Sequence, residues 1–145
     1  MKRAIITISS KQSIEDEKIE SITPGQFYER NGGYYAVYKE TEISGMKGTT
    51  TTLKIKDGKV ILIRTGTTKG KMEFADNHHY MCIYSTQYGD IELQMHTKSV
   101  DIDVNENGGE VFIDYSINLD QDMPIFTKMH INIRTMKDDE EEGIK

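Results

Sequence analysis

The chain has 145 residues, with 24 Asp plus Glu against 18 Lys plus Arg and a net charge of -6. A length of this order suits one domain that buries roughly 70% of the surface its unfolded form would expose. The acidic balance repels phosphate backbones, and no stretch approaches the ~18 uninterrupted apolar residues of a membrane span, so neither nucleic acid nor membrane is expected as a partner.

A lone cysteine, Cys82, excludes an internal disulfide, and the opening MKRAIITISS lacks the apolar stretch of a secretory signal. The expected compartment is therefore the cytoplasm. Period-two alternation of apolar and polar residues, broken by turn residues, begins at once with a predicted strand over 3–10. The next stretch, SIEDEKIES, is the one competitor for helix: Ser13 can cap a first turn and Asp16 can complete a weak capping box. Ile14, Ile19 and Ile22 make no stripe at helical period, so a short turn of helix is the most this stretch predicts.

Strands follow over 33–44, 49–56, 59–65, 70–74, 79–86, 90–104, 110–119 and 125–135. The clearest pair is TTLKIKDGKVILIR, where Asp57-Gly58 can take the positive φ angles of a two-residue turn. That turn sets Ile55 against Val60, Leu53 against Leu62 and Thr51 against Arg64. Ile91, Leu93, Met95 and Thr97 share an inward phase, as do Val111, Ile113, Tyr115, Ile117 and Leu119 and then Met129, Ile131 and Ile133. So many antiparallel strands in one sheet should curl and close, which removes their edges. The predicted architecture is all-β: an antiparallel, mostly up-and-down closed barrel of about 8–10 strands over residues 1–136, with an acidic, flexible tail over 137–145.

Polar residues on the predicted inner face mark the candidate site. Tyr34, Ala36, Tyr38, Glu40 and Glu42 share a phase, and a four-residue turn over 45–48 would pair Glu42 with Thr51, bringing Glu40 and Glu42 to Arg64. An inward arginine is costly unless a carboxylate meets it, so a structural ion pair accounts for the set as readily as a ligand anchor. Tyr84, Tyr88 and Tyr115 would add hydroxyls to such a lining, although tyrosines also pack in sheets with no further role. His78-His79 would point to opposite faces, His96 and His130 fall on outward faces, and Cys82 has no activating neighbour, so no metal site, cofactor or reactive thiol is predicted.

The segments GYYAVYKETE, TTLKIKDGKVILIRTG, MEF, YSTQYGDIELQMHT and GGEVFIDYSINL resemble the YwiB-like family of uncharacterised bacterial proteins. The resemblance spans most of the chain and rests on Tyr38 and Glu40, Arg64 with Gly66, Thr86, Tyr88 and Gly89, Thr97, and Tyr115. It implies a calycin-type, lipocalin-like barrel and no established activity. The Gly-x-Trp signature of true lipocalins is missing, since the chain has no Trp.

The leading expectation is a cytoplasmic barrel holding a small, partly apolar ligand in its interior, with Tyr38, Glu40, Glu42, Arg64, Tyr84, Tyr88, Thr97 and Tyr115 as the lining. A second reading is a protein-interaction or structural module that dimerises through outward Ile61, Ile63, Phe112 and Phe126. A third is an enzyme with Glu40 or Glu42 as acid or base, for which no catalytic motif is present.

Overall fold

The computed structural model describes residues 1–13, 17–119 and 123–136, and these form ten antiparallel strands. They are β1 Lys2–Gln12, β2 Ile19–Arg30, β3 Gly33–Lys39, β4 Thr49–Lys56, β5 Lys59–Gly66, β6 Gly70–Phe74, β7 His78–Thr86, β8 Gly89–Asn105, β9 Gly108–Leu119 and β10 Ile125–Thr135. The strand order is β6-β5-β4-β3-β2-β1-β10-β9-β8-β7. Every chain neighbour except one pair is thus a sheet neighbour, and the first and last strands lie side by side at the middle. Among the described residues, the backbone bridge that closes the ring between β6 and β7 joins Lys69, just before β6, to Ser85 on β7, each amide donating to the other's carbonyl at 2.8 Å. The barrel is therefore nearly closed, with a seam in mid-chain. The expected tail over 137–145 lies outside the described residues.

Register follows turn chemistry. Asp57 and Gly58 take φ of 52° and 73°, and the strands they join pair Ile55 with Val60, Leu53 with Leu62 and Thr51 with Arg64, as the sequence predicts. Asn31 and Gly32 make the same kind of turn between β2 and β3. Because the strands alternate in direction, these tight turns gather at one end, while the longer connection over 40–48 and the 67–69 link lie at the other.

Strand β2 replaces the expected turn of helix, of which residues 14–16 lie outside the described set. Its pattern reads backwards: Ile22 faces out and is exposed, while Thr23, Gly25 and Phe27 take the inward phase. Pro24 is tolerated because β3 pairs only from Gly25 onward, so no ladder bond on that side needs its missing N–H. Strand β3 also ends earlier than predicted. Residues 41–48 leave the sheet through a 3-10 turn, Glu42–Ser44, closed by Gly45 at φ 76°.

A bulge at Lys98 shifts the inward phase of β8 from Met95 and Thr97 to Val100. The β6–β7 turn holds that bulge: Asn77 N–H donates to Lys98 O at 3.3 Å, and Val100 N–H donates to the Asp76 carboxylate at 2.8 Å. Towards the tight-turn end the barrel is filled by side chains, with Phe27, Leu53, Val60, Phe74, Val111 and Ile131 no more than 1% exposed. Each such burial contributes about 1.5–3 kcal/mol relative to exposure. The outward residues Ile61 and Ile63 sit on β5, far around the wall from the half-exposed Phe112 and Phe126 on β9 and β10, so the four do not form one patch. Phe112 is itself covered on one face by His130, stacked at 4.3 Å.

Gly70 faces Tyr84 across the seam, and a Cβ there would lie 2.1 Å from the tyrosine ring. Gly70→Ala is expected to destabilise by about 1–3 kcal/mol through overpacking, measured as a shift in denaturant midpoint. Gly58→Ala, which meets open space but keeps a φ of +73°, should cost about 1 kcal/mol from backbone strain alone. Adding Tyr84→Ala to the Gly70 variant should recover part of the first loss and none of the second; no recovery would remove the steric account.

Candidate functional site

The site starts from one row of the ladder. Thr51 on β4 lies opposite Tyr38 on β3 and Arg64 on β5, so the three inward side chains stand abreast. Glu40 continues the phase of β3, its N–H donating to Thr49 O at 2.8 Å, and its carboxylate turns into the barrel. There it accepts the Thr51 hydroxyl at 2.5 Å. Arg64 Nε donates to Thr51 Oγ1 at 3.3 Å, Nη1 donates to the Tyr84 hydroxyl at 3.0 Å, and Nη2 lies 3.7 Å from Glu40 Oε2.

This closes a charge-neutral set inside the wall. The side chains of Arg64 and Glu40 are only 15% and 8% exposed, so each ion depends on the other for compensation. Thr51 uses its single proton on the carboxylate and a lone pair on the guanidinium, the arrangement that satisfies both ions at once. The Arg64 guanidinium carbon also lies 5.8 Å from the centre of the Tyr84 ring.

The tyrosines around this set are held neutral. Burial and then the Glu40 charge keep the Tyr38 hydroxyl well above the ordinary tyrosine range. Burial also raises Tyr84, partly offset by the cation of Arg64. Tyr115 is pushed up to about 12, chiefly by burial, and its ring meets Phe74 edge-on at 5.0 Å. On either side of Tyr115 stand Thr97 and Thr127, both inward and buried. Thr97 Oγ1 is buried with no hydrogen-bond partner among the described residues.

Above this lining, at the long-loop end, lies an open cleft of about 480 Å³. Met46 and Lys47 come from the β3–β4 connection, Thr67 and Thr68 from the β5–β6 link, and Thr86, Gln87 and Tyr88 from the β7–β8 turn; Ile91 and Tyr84 complete the wall. Thr68 N–H donates to the buried Thr49 hydroxyl at 3.0 Å, which fixes one side of the cleft to β4. Another groove, of about 580 Å³, lies over β2 and β3; its lining includes Tyr38 but neither Arg64 nor Tyr84.

Of the sequence-predicted site residues, Tyr38, Glu40, Arg64 and Tyr84 come together directly, Tyr115 adjoins them, and Thr97 lies beside Tyr115. Two are corrected. Glu42 does not pair with Thr51, because the loop over 41–48 carries it off the sheet; its side chain is 80% exposed and meets Lys47 at 3.0 Å. Tyr88 sits on the β7–β8 turn, 91% exposed, not in the barrel interior. Both line the mouth cleft instead. Sequence reasoning placed Thr51 beside Arg64 but passed over Thr49: the run TTTT at 49–52 itself alternates, with Thr49 and Thr51 inward at 1% and 0% exposed.

Residues 5–131 match the model of a family described as a domain of unknown function, DUF1934. The uncharacterized β-barrel protein YwiB of Bacillus subtilis strain 168 is 31% identical over 119 residues, covering 79% of this chain and 82% of that protein. The crystal structure of the ywiB protein from Bacillus subtilis superimposes with a TM-score of 0.83 at 24% identity, over 94% of this chain and 93% of the other. That likeness shows the same barrel fold.

Two outcomes follow from the lining. Glu40→Gln should destabilise by about 3 kcal/mol by leaving a buried guanidinium uncompensated, and the double variant with Arg64→Met should regain much of it; additive losses in chemical denaturation would contradict the pairing. Tyr115 gives the second. Its proton is held more tightly when folded, so its contribution is complete below the ordinary value near 10 and is lost as pH rises through about 12. A displacement of that size corresponds to roughly 3 kcal/mol, so stability should fall between pH 10 and 12, and less steeply in Tyr115→Phe, in denaturant midpoints taken across that range.

Proposed function

The chain belongs to the DUF1934 family, and we propose that it is a non-catalytic barrel that binds a small, partly apolar ligand at its mouth. An anionic or polar group of the ligand is held at Arg64. One observation carries this reading: Tyr84 belongs to both halves of the site. Its ring lines the mouth cleft, while its hydroxyl takes a hydrogen from Arg64. A ligand resting on that ring lies next to a guanidinium whose Nη2 has only a 3.7 Å ion contact, longer than a hydrogen bond.

Filled packing at the tight-turn end favours the mouth over the deep interior, and the mix of Ile91, Met46 and Tyr88 with threonine hydroxyls suits a ligand of mixed character. Glu40 is tied to Thr51 and Arg64, which favours an anchoring role over proton transfer. The ten-stranded meander supports a calycin-type assignment. Among the described residues no helix is long and apolar enough to cross a membrane. The cytoplasmic placement rests on the single cysteine, Cys82, which is free and buried.

Native mass spectrometry of protein purified from its own host should show a bound small molecule, and thermal-shift panels of small carboxylates and phosphates should identify stabilising members. Tyr84→Phe keeps the ring and removes the hydroxyl, and is expected to weaken the best of these about tenfold, the equivalent of one hydrogen bond to a charged group. Unchanged affinity in Tyr84→Phe, or a dimer that carries no small molecule and ignores both panels, would overturn the reading in favour of an outer-surface interaction module.

A further inference from the structure

Adjacent histidines on a strand diverge, and His78 and His79 do so; the β7–β8 hairpin supplies a different partner. Its turn sets His79 directly opposite His96, with ring centroids 4.3 Å apart and planes 21° from parallel. Both rings stand on the outer wall, His79 exposed and His96 half-buried. His96 Nε2 lies 3.3 Å from Asn77 Oδ1. With that oxygen accepting, the ring proton is fixed on Nε2 and the lone pair is on Nδ1, the kind of outer-shell contact that orients a metal-binding imidazole.

An open hollow of about 400 Å³ surrounds the pair, with Met81, Gln94 and Asn118 on its wall. Gln94 donates its amide N–H to Glu92 at 3.2 Å, which leaves its carbonyl oxygen as the acceptor end. From these contacts we propose that His79 and His96 bind a divalent transition-metal ion on the outside of the barrel, at a site separate from the mouth cleft. Imidazole lone pairs lie in the ring plane, so binding one ion requires the two rings to turn out of their stack until a nitrogen of each lies ~2.0–2.1 Å from the metal. Among the described residues no group of three or more His, Cys, Asp and Glu could hold a metal, so the protein supplies two nitrogens and water fills the remaining positions. Two neutral imidazole nitrogens favour copper(II), nickel(II) or zinc over calcium or magnesium, with copper(II) bound most tightly.

The test is titration of the full chain with copper(II) sulfate and, separately, zinc sulfate, in a buffer free of chelators. One ion per chain is expected, with a copper resonance signal showing coupling to two imidazole nitrogens. His79→Asn or His96→Asn should each weaken binding at least tenfold and reduce the coupling to one nitrogen, while His130→Asn changes neither. Histidine-ring NMR of the unaltered protein provides a readout independent of any variant: copper should broaden His79 and His96 first. Broadening that starts at His130, or equal affinity in the double variant, would overturn the assignment and place the metal elsewhere, for example on the acidic residues 138–142.

Discussion

A guanidinium inside a sheet wall demands compensation, and much of this barrel's mouth is arranged around that demand. Arg64 lies where β5 approaches the long-loop end, and Glu40 just past β3, Thr51 on β4 and Tyr84 on β7 reach it. None of those partners is close to it in sequence. Together the contacts therefore require the ladder to be in register from β3 to β5 and the ring to close as far as β7. The pair is thus a reporter of correct assembly as well as a candidate anchor, since a slip of one residue would turn either ion to the wrong face.

The lining divides the molecule by chemistry along its axis. At the tight-turn end, large apolar side chains fill the lumen; towards the mouth, threonines and tyrosines replace them. Threonine suits this position because its branched side chain packs in a strand while its hydroxyl serves an ion. Tyrosine combines a large apolar ring with a polar tip, so Tyr38, Tyr84 and Tyr115 bury area at the boundary and still present oxygen to the charged set.

Most of the architecture could be read from alternation and turn residues. Asp57-Gly58 determined the pairing that sets Thr51 beside Arg64, and the inward phases of β9 and β10 followed from their apolar rhythm. Strand β2 was illegible because its inward positions are Thr23, Gly25 and Phe27 while an isoleucine faces solvent, and because Pro24 and Gly25 resemble a break. Glu42 was misplaced because a hairpin of four residues and one of eight leave the same alternation behind them; only the cap at Gly45 distinguishes them. Tyr88 shared the composition of the lining but belonged to a turn. His79 and His96 illustrate the converse, for their meeting depends on hairpin register across seventeen positions and no local pattern announces it.

The seam separates the covalent ends of this molecule from its physical ones. Chain termini usually mark the edges of a sheet, but here β1 and β10 are joined by a full ladder at the centre, and the ribbon's two borders are β6 and β7, linked by a short turn. Severing that turn would leave two meanders, one of six strands and one of four, still held together by the β1–β10 ladder. The protein is accordingly built as two interlocking halves, and its mouth, with Arg64 on one half and Tyr84 on the other, is completed only when they meet.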